Sequence, residues 1–531
     1  MKKWMVLITL SMSMFIIVID TTIMNVSISA LIEDLDTSVG GIQAAIALYA
    51  LVMASFMLIG GKLADILGKK RTFIAGVVIF GIGTFMASIS QSLTMLIIGW
   101  SFIEGLGSAL MMPNIQTLLR DKYDGSDRAF AYGIISAVAA VGAAVGPIVG
   151  GFLTTYHTWR WAFRLEVLIV VVVLVLSRYI VKDNVSAKRP RFDLLGALLS
   201  ITGWSALVLG ILLGQNYGFW YAKQPFMLGS LEIAPLGLSI VPVLVGLGII
   251  LIMLLFSWEQ QLEEKGGGGL FKPSLFKTPG LISGFAVRFL QMGATAAFLF
   301  TMPLLFQLSF EFTAMQTGRA LIPFSVGLLV FAVIGARLSA RFSAKRIIQV
   351  GFLLTIAGLT IIAGTIEPDA APSDLATGIV FGMGVGLIAS QILNLILSSV
   401  SAEDTAEASG LNGTFEQLGN AVGVALVGTM MLGGLTAGIE NGINASSAVP
   451  EQYKASLITA AESSVYLMSN TQLEGGLDAM GANAVVKSEV LSIYALARTQ
   501  AFQAGMSFLI FISLIGLVMT TRLPKYKLVE T

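Results

Sequence analysis

The chain has 531 residues, 56% apolar and 12% charged, with 57 glycines and a formal net charge of +1. With a mean hydropathy of +0.85 it lies outside the range of soluble domains and reads as an all-α polytopic membrane protein. A charge near zero argues against a nucleic-acid surface. The lack of Cys excludes disulfides, thiolate metal sites and cysteine nucleophiles, and the single His, His157, excludes a multi-His metal centre.

Apolar runs long enough to cross the hydrocarbon as helices fall at about 4–31, 41–61, 72–90, 93–118, 129–155, 161–181, 194–216, 236–257, 281–308, 317–337, 347–366, 374–400, 408–437 and 498–521. The first mimics a signal peptide, down to a small-residue stretch at Ser27-Ile28-Ser29-Ala30, but its length favours a retained helix. Fourteen spans put both termini on one side. Placing that side inside collects 24 of the 32 Lys and Arg residues there, so cytoplasmic termini are expected.

Two linkers, Lys182–Asp193 and Trp258–Gly280, flank spans seven and eight. An internal echo assigns the rest. GGKLADILGKKR, Gly60 to Arg71, returns 275 residues later as GARLSARFSAKR, Gly335 to Arg346. At a spacing of 277, Gly133, Gly142 and Gly146 answer to Gly410, Gly419 and Gly423. The expected organisation is therefore a six-helix bundle over 1–182, a linker with two added helices over 183–280, and a second six-helix bundle over 281–531. Two related membrane halves are the plan of secondary transporters that rock about a central site. An outer insertion spans about 438–497, in which Glu451–Met468 and Asn483–Ala497 predict a short helical hairpin over the mouth.

Charges inside a bilayer are expensive and are functional candidates by default. Asp20, Glu104, Arg164, Glu166, Arg288 and Glu416 qualify as proton- or substrate-coupling residues. Asn412 and Asn420 flank Glu416 on one helical face, and its counterpart in the first half is Ala139. Arg164 and Glu166 point to different faces and are expected to pair with other helices. Soft cavity walls are sought in Met24, Asn25, Met112, Phe298 and Phe306, for which plain helix packing is the competing reading. The loop residues Gly61, Asp65, Gly68, Lys69 and Arg71, with Arg128, form a candidate latch that closes in one conformation; the second copy has Ala340 in place of the acid. Gly142, Gly146 and Gly150, four residues apart beside Pro147, predict a close helix contact with a bend.

Gly61–Lys70 resembles the signature loop of the major facilitator superfamily. Ile19–Val26, Gly142–Gly151 and Trp159–Phe163 are similar to motifs of its fourteen-helix drug:proton antiporter branch. The family's helix-four Arg is absent: Ser101 stands four residues before Gly105, and Glu104 precedes that Gly. Arg164 and Arg288 are the candidates to replace it. The resemblance implies a proton-coupled exporter of lipophilic, cationic compounds; a monomer in a prokaryotic-type cytoplasmic membrane is expected, and with no Cys and one His no cofactor or metal is expected. A lipid or glycolipid translocase on the same fold is the nearest rival, ahead of a non-transporting sensor or a membrane enzyme.

Overall fold

A computed structural model of the chain describes residues 2–180, 192–228, 231–233, 237–278, 280–367, 376, 378–401, 404–451, 454–455, 458, 468–479 and 481–525. The molecule is almost wholly helical. In the first half run α1 (Lys2–Val26), α2 (Ile28–Asp34), α3 (Val39–Leu67), α4 (Lys69–Ser88), α5 (Leu93–Lys122), α6 (Gly125–Tyr156) and α7 (Arg160–Leu176). Two further helices follow, α8 (Leu194–Tyr217) and α9 (Ile240–Glu264), joined across a small ribbon of β1 (Phe226–Leu228) against β2 (Leu231–Ile233). The second half comprises α10 (Leu281–Ser309), α11 (Ala314–Ala320), α12 (Ile322–Leu338), α13 (Ala344–Thr365), α14 (Gly378–Leu397), α15 (Thr405–Ala445), α16 (Asn470–Ala479) and α17 (Ala484–Met519).

Thirteen segments, with α11 and α12 counted together as Ala314–Leu338, are long and apolar enough to cross a membrane. The remaining expected span, 161–181, forms α7, whose 17 residues end in a 3₁₀ turn at Ser177–Tyr179. Helix form satisfies the backbone within each segment, as hydrocarbon demands, and side chains cap the exposed starts. Ser38 accepts from Gly41 N, Asp193 from Gly196 N and Asn483 from Val486 N.

The first span is shorter than its apolar run suggests, because a break at Ser27 separates α1 from α2. The outer insertion is also corrected. Asn483–Ala497 is no free hairpin arm: Asn483 caps α17, which continues without interruption into the last span. Its apolar spacing is that of one long helix. Most of Glu451–Met468 lies outside the described residues; the described part of the insertion adds α16, whose Leu477 packs with Val486 and Val490.

The two halves repeat one packing plan. In the first, α1 packs on α6 and α7, α5 on α3 and α4, and α4 on α7. In the second, α10 packs on α15 and α17, α14 on α12 and α13, and α13 on α17. Glycine permits the closest of these approaches. A Cβ on Gly107 would collide with the backbone of Phe80 and Gly76, and one on Gly384 with the backbone of Gly351 and Thr355. The halves meet along α3 with α15 and along α6 with α11 and α12, while α8 leans on both α3 and α15.

Candidate functional site: a buried carboxylate trio and its supports

We call the face bearing the ends of α3 and the start of α1 the inner face. Three acids from three helices of the first half converge at one point. Asp20 of α1, Glu104 of α5 and Glu166 of α7 are 1%, 0% and 1% exposed, and one carboxylate oxygen of each lies within 4.8 Å of the other two. Local structure aims each of them. Residues Ile97–Glu104 depart from α geometry into a π-helical turn, a device that widens the helix and recurs at functional sites. Gly83 of α4 makes room for it, since a Cβ there would strike the backbone of Gly99 and Glu104.

Trp100, within the same turn, donates its indole N–H to both oxygens of Asp20 at 3.0 and 2.9 Å. Its ring stacks on Tyr49 at 5.2 Å, and the Tyr49 hydroxyl meets Ser108 Oγ at 3.0 Å. Among the described residues no Lys or Arg forms an ion pair with any of the three acids, and neither carboxylate oxygen of Glu166 has a hydrogen-bond partner. Burial without a countercharge is costly for an ionised carboxylate. Three such groups side by side repel as well: two unit charges about 4 Å apart cost about 4 kcal/mol at an effective dielectric of about 20. The arrangement can therefore hold protons or a cation, and it cannot hold three bare charges.

The expected helix-four Arg has no substitute here. Ser101 spends its hydroxyl on Ala45 O at 2.7 Å, so it ties α5 to α3. Arg164, expected to be buried, is exposed and lies over the Trp161 ring at 5.1 Å; two positions before Glu166, it takes the opposite face. Glu166, expected to pair with another helix, instead joins the acids.

Arg288 serves the second half. Its guanidinium donates to Glu416 Oε2 at 2.5 Å and to Gln291 Oε1 at 3.0 Å, with both ion-pair side chains 13% exposed. Glu416 is thus paired with a cation from a neighbouring helix. Gly293, Gly419 and Gly423 allow α10 and α15 to come close enough for this pair. Asn412 is buried with its Oδ1 unpartnered, and Asn420 donates to Gln417 at 3.1 Å.

Two expected cavity walls are packing instead. Phe298 stacks on Phe381 at 4.1 Å, and Phe306 on Phe312 at 5.9 Å. Asn25 donates to its own helix at Thr21 O, Met24 is buried and Met112 is partly exposed.

At the inner face Gly68 takes φ +97° and turns the chain from α3 into α4. Lys69 pairs with Asp121 at the end of α5, Lys70 donates to Ile180 O beyond α7, and Arg128 holds Tyr123 O and Asp124 at 2.7 and 2.8 Å. Asp65 and Arg71 are exposed. Asp65 feels Lys62, Lys69 and Arg120. These contacts fasten the first half to itself. Across the halves, the charge of Lys62 acts on Glu407.

The glycines at 142, 146 and 150 face α1, meeting Val18, Thr22 and Ile23, while Pro147 and Gly151 face α11 through Gly318, Ala314 and Met315. Sequence reasoning missed the polar groups that join the two halves at the opposite face. Gln307 Nε2 donates to Val26 O at 2.6 Å, Ser29 Oγ donates to Gln307 Oε1 at 2.6 Å, and Gln43 Nε2 donates to Val424 O and Ala425 O at 3.0 and 3.1 Å. Met315 N donates to Thr155 Oγ1 at 2.9 Å. Amide side chains inside apolar spans were the available signal.

Comparison with known proteins agrees with this architecture. Residues 10–424 match the Major Facilitator Superfamily. The chain belongs to that superfamily and is a multi-pass membrane transporter. It is 29% identical to the probable actinorhodin transporter of Streptomyces coelicolor, over 80% of the chain and 72% of that protein. It is 26% identical to the puromycin resistance protein of Streptomyces alboniger, over 82% and 83% of the two chains. A bacterial homolog of the human lysosomal transporter Spinster, solved inward-facing and unoccupied, shares the fold with a TM-score of 0.61 at 16% identity, covering 98% of this chain and 97% of that one.

Proposed function

We propose that the chain is a proton-coupled exporter of lipophilic small molecules, cations among them, in a cytoplasmic membrane with both termini inside, working as a monomer by alternating access. The observation that carries this reading is the trio of buried acids, with which no Lys or Arg among the described residues pairs. Such a group retains protons while the site is dry and releases them when solvent reaches it. Two packed halves with glycine-lined seams supply the rocking element. Gln43 and Gln307 join the two halves at the face opposite the inner one, and rocking would have to break these contacts. Relatives named for actinorhodin transport and puromycin resistance support export.

In this cycle protons enter from outside onto Asp20, Glu104 and Glu166, substrate leaves, and the halves rock. The cytoplasm then takes the protons and supplies new substrate. The Arg288–Glu416 pair keeps the second half electrically neutral and positions α10 against α15. Proteoliposomes with an imposed pH gradient, assayed against lipophilic cations, anions and lipids, test the proposal. Substrate movement that ignores the gradient would overturn it.

One observation favours the lipid-translocase alternative: an apolar groove of about 540 Å³ between α1, α6 and α7, lined by Trp4, Ser11, Phe15, Phe130 and Ile169. Lipid flipping in the same proteoliposomes, with lipophilic cations excluded, would select that reading.

A further inference from the structure

The donors around the acid trio are oxygens. Besides the three carboxylates, the Tyr49 and Thr84 hydroxyls are near enough to act on Asp20 and Glu104, and neither carboxylate oxygen of Glu104 has a hydrogen-bond partner. Thr84 already gives its proton to Phe80 O at 2.9 Å, so its lone pairs remain available. Glu166 offers two carboxylate oxygens that no group among the described residues satisfies, on a side chain 1% exposed and turned toward the other two acids. A buried polar group of this kind calls for an explanation, and an unplaced ion is one.

We propose that Asp20, Glu104 and Glu166 bind a hard divalent cation of calcium size between α1, α5 and α7. The donor chemistry selects hardness: all-oxygen sites suit calcium, magnesium and manganese, and sulfur or imidazole ligands are missing from this one. Size follows from the spacing. Oxygens within 4.8 Å of one another admit an ion at calcium's roughly 2.3–2.6 Å, and calcium's flexible coordination suits a site built from side chains of three helices better than magnesium's strict octahedron at about 2.0–2.1 Å. Charge decides the valence, because two positive charges offset most of the mutual repulsion of three carboxylates and one does not. Trp100 holds Asp20 in place, and the wide turn of α5 presents Glu104. The sequence-based expectation of no metal rested on His and Cys, which such an ion does not need. The site shares its residues with the proton-exchange reading but does not depend on it.

The test uses the full-length protein in detergent, stripped with a chelator and titrated with calcium at mildly alkaline pH. Bound radiolabelled calcium and melting temperature are the readouts. The expected result is one calcium per chain and a melting temperature that rises with calcium concentration. Glu166→Gln and Glu104→Gln should each weaken binding by at least about tenfold, as even outer-shell changes do at metal sites, while Glu33→Gln at an exposed acid should not. Glu166→Asp, which keeps the charge and shortens the arm, should also weaken binding, and it serves if the amide variants misfold. No calcium uptake by the parent protein, uptake that survives both amide variants, or an equal response to sodium would overturn the proposal. Proton-driven export assayed in chelator separates the two readings. Export that persists without any calcium binding sinks this inference alone, and calcium binding without gradient-driven export sinks the coupling reading alone.

Discussion

The two halves of the molecule share a skeleton and differ in their charges. Lys70 and Lys345, equivalent in the sequence echo, do the same work. The first donates to Ile180 O just past the 3₁₀ turn that ends the last span of its half, and the second to Thr521 O within, and Leu523 O just past, the 3₁₀ turn that follows α17. Gly60 and Gly335 both press against the neighbouring core helix, the first on Ala109 and Leu110, the second on Leu387 and Ser390. The buried charges do not repeat. By the same offsets Asp20 answers to Thr295 and Glu104 to Phe381, while Arg288 and Glu416 answer to Ser13 and Ala139. Packing is what the halves have in common, and chemistry is assigned to each separately: acids without a base in the first, an acid with its base in the second.

Neutralisation should break the comparison most visibly. Glu416→Gln leaves the Arg288 charge buried without its partner, and Arg288→Met does the same to Glu416. Each should destabilise by about 3–5 kcal/mol, measured by thermal unfolding, and the double variant should recover much of the loss. Glu166→Gln removes a like charge and should leave the melting temperature unchanged or higher, while lowering proton-driven transport at least tenfold. Equal destabilisation at both sites would mean that the trio has a cation partner within the protein.

Next in size is overpacking of equivalent glycines. A Cβ at Gly146 meets the Thr22 side chain, whereas one at Gly423 meets the backbone of Gly293. A side chain can rotate and a backbone cannot. Gly146→Leu should therefore cost about 1–3 kcal/mol and Gly423→Leu more, read as unfolding midpoint and as access of labels from each side. A larger cost at Gly146 would show that α1 cannot yield.

Lys70→Ala and Lys345→Ala should have matching, smaller effects of about 1 kcal/mol, since each removes a charged donor from helix-terminal carbonyls. Unequal melting shifts would show that the echo has lost its symmetry of function.

The smallest effect is expected at the linker. Lys272 donates to Asp404 at 2.6 Å, which raises the lysine's pKa and lowers the carboxyl's below its ordinary value. The depressed acid contributes stability above its unfolded value of about 3.9, lost as pH falls through its folded value. The raised base contributes below about 10.4, lost as pH rises through its folded value. The contact should thus persist between those limits. Half-exposed, it should be worth less than about 1 kcal/mol, and Lys272→Ala should abolish the acid-side change in protection of the linker against proteolysis.

Much of the fold was legible because its signals are local or periodic. Hydrophobic length marked the spans, and the echo marked the halves, since the same residues meet the same neighbours twice. The acids Asp20, Glu104 and Glu166 could be named individually because charge in an apolar run stands out. Their grouping could not. That Arg164 and Glu166 take different faces followed from their spacing of two, but which residues of other helices Glu166 would meet did not.

By itself, the sequence determined that this is a two-half helical membrane protein with charges buried at particular positions, because the cost of burying backbone and charge in hydrocarbon is paid segment by segment. Which charges share a site was decided only by tertiary structure. The π turn at Ile97–Glu104 and the small residues at Gly83 and Gly99 set the depth and rotation of α5, and a few ångströms there separate three isolated acids from one shared site. The same holds for Arg288 and Glu416, 128 residues apart, which become partners only because the glycines of α10 and α15 let two backbones touch.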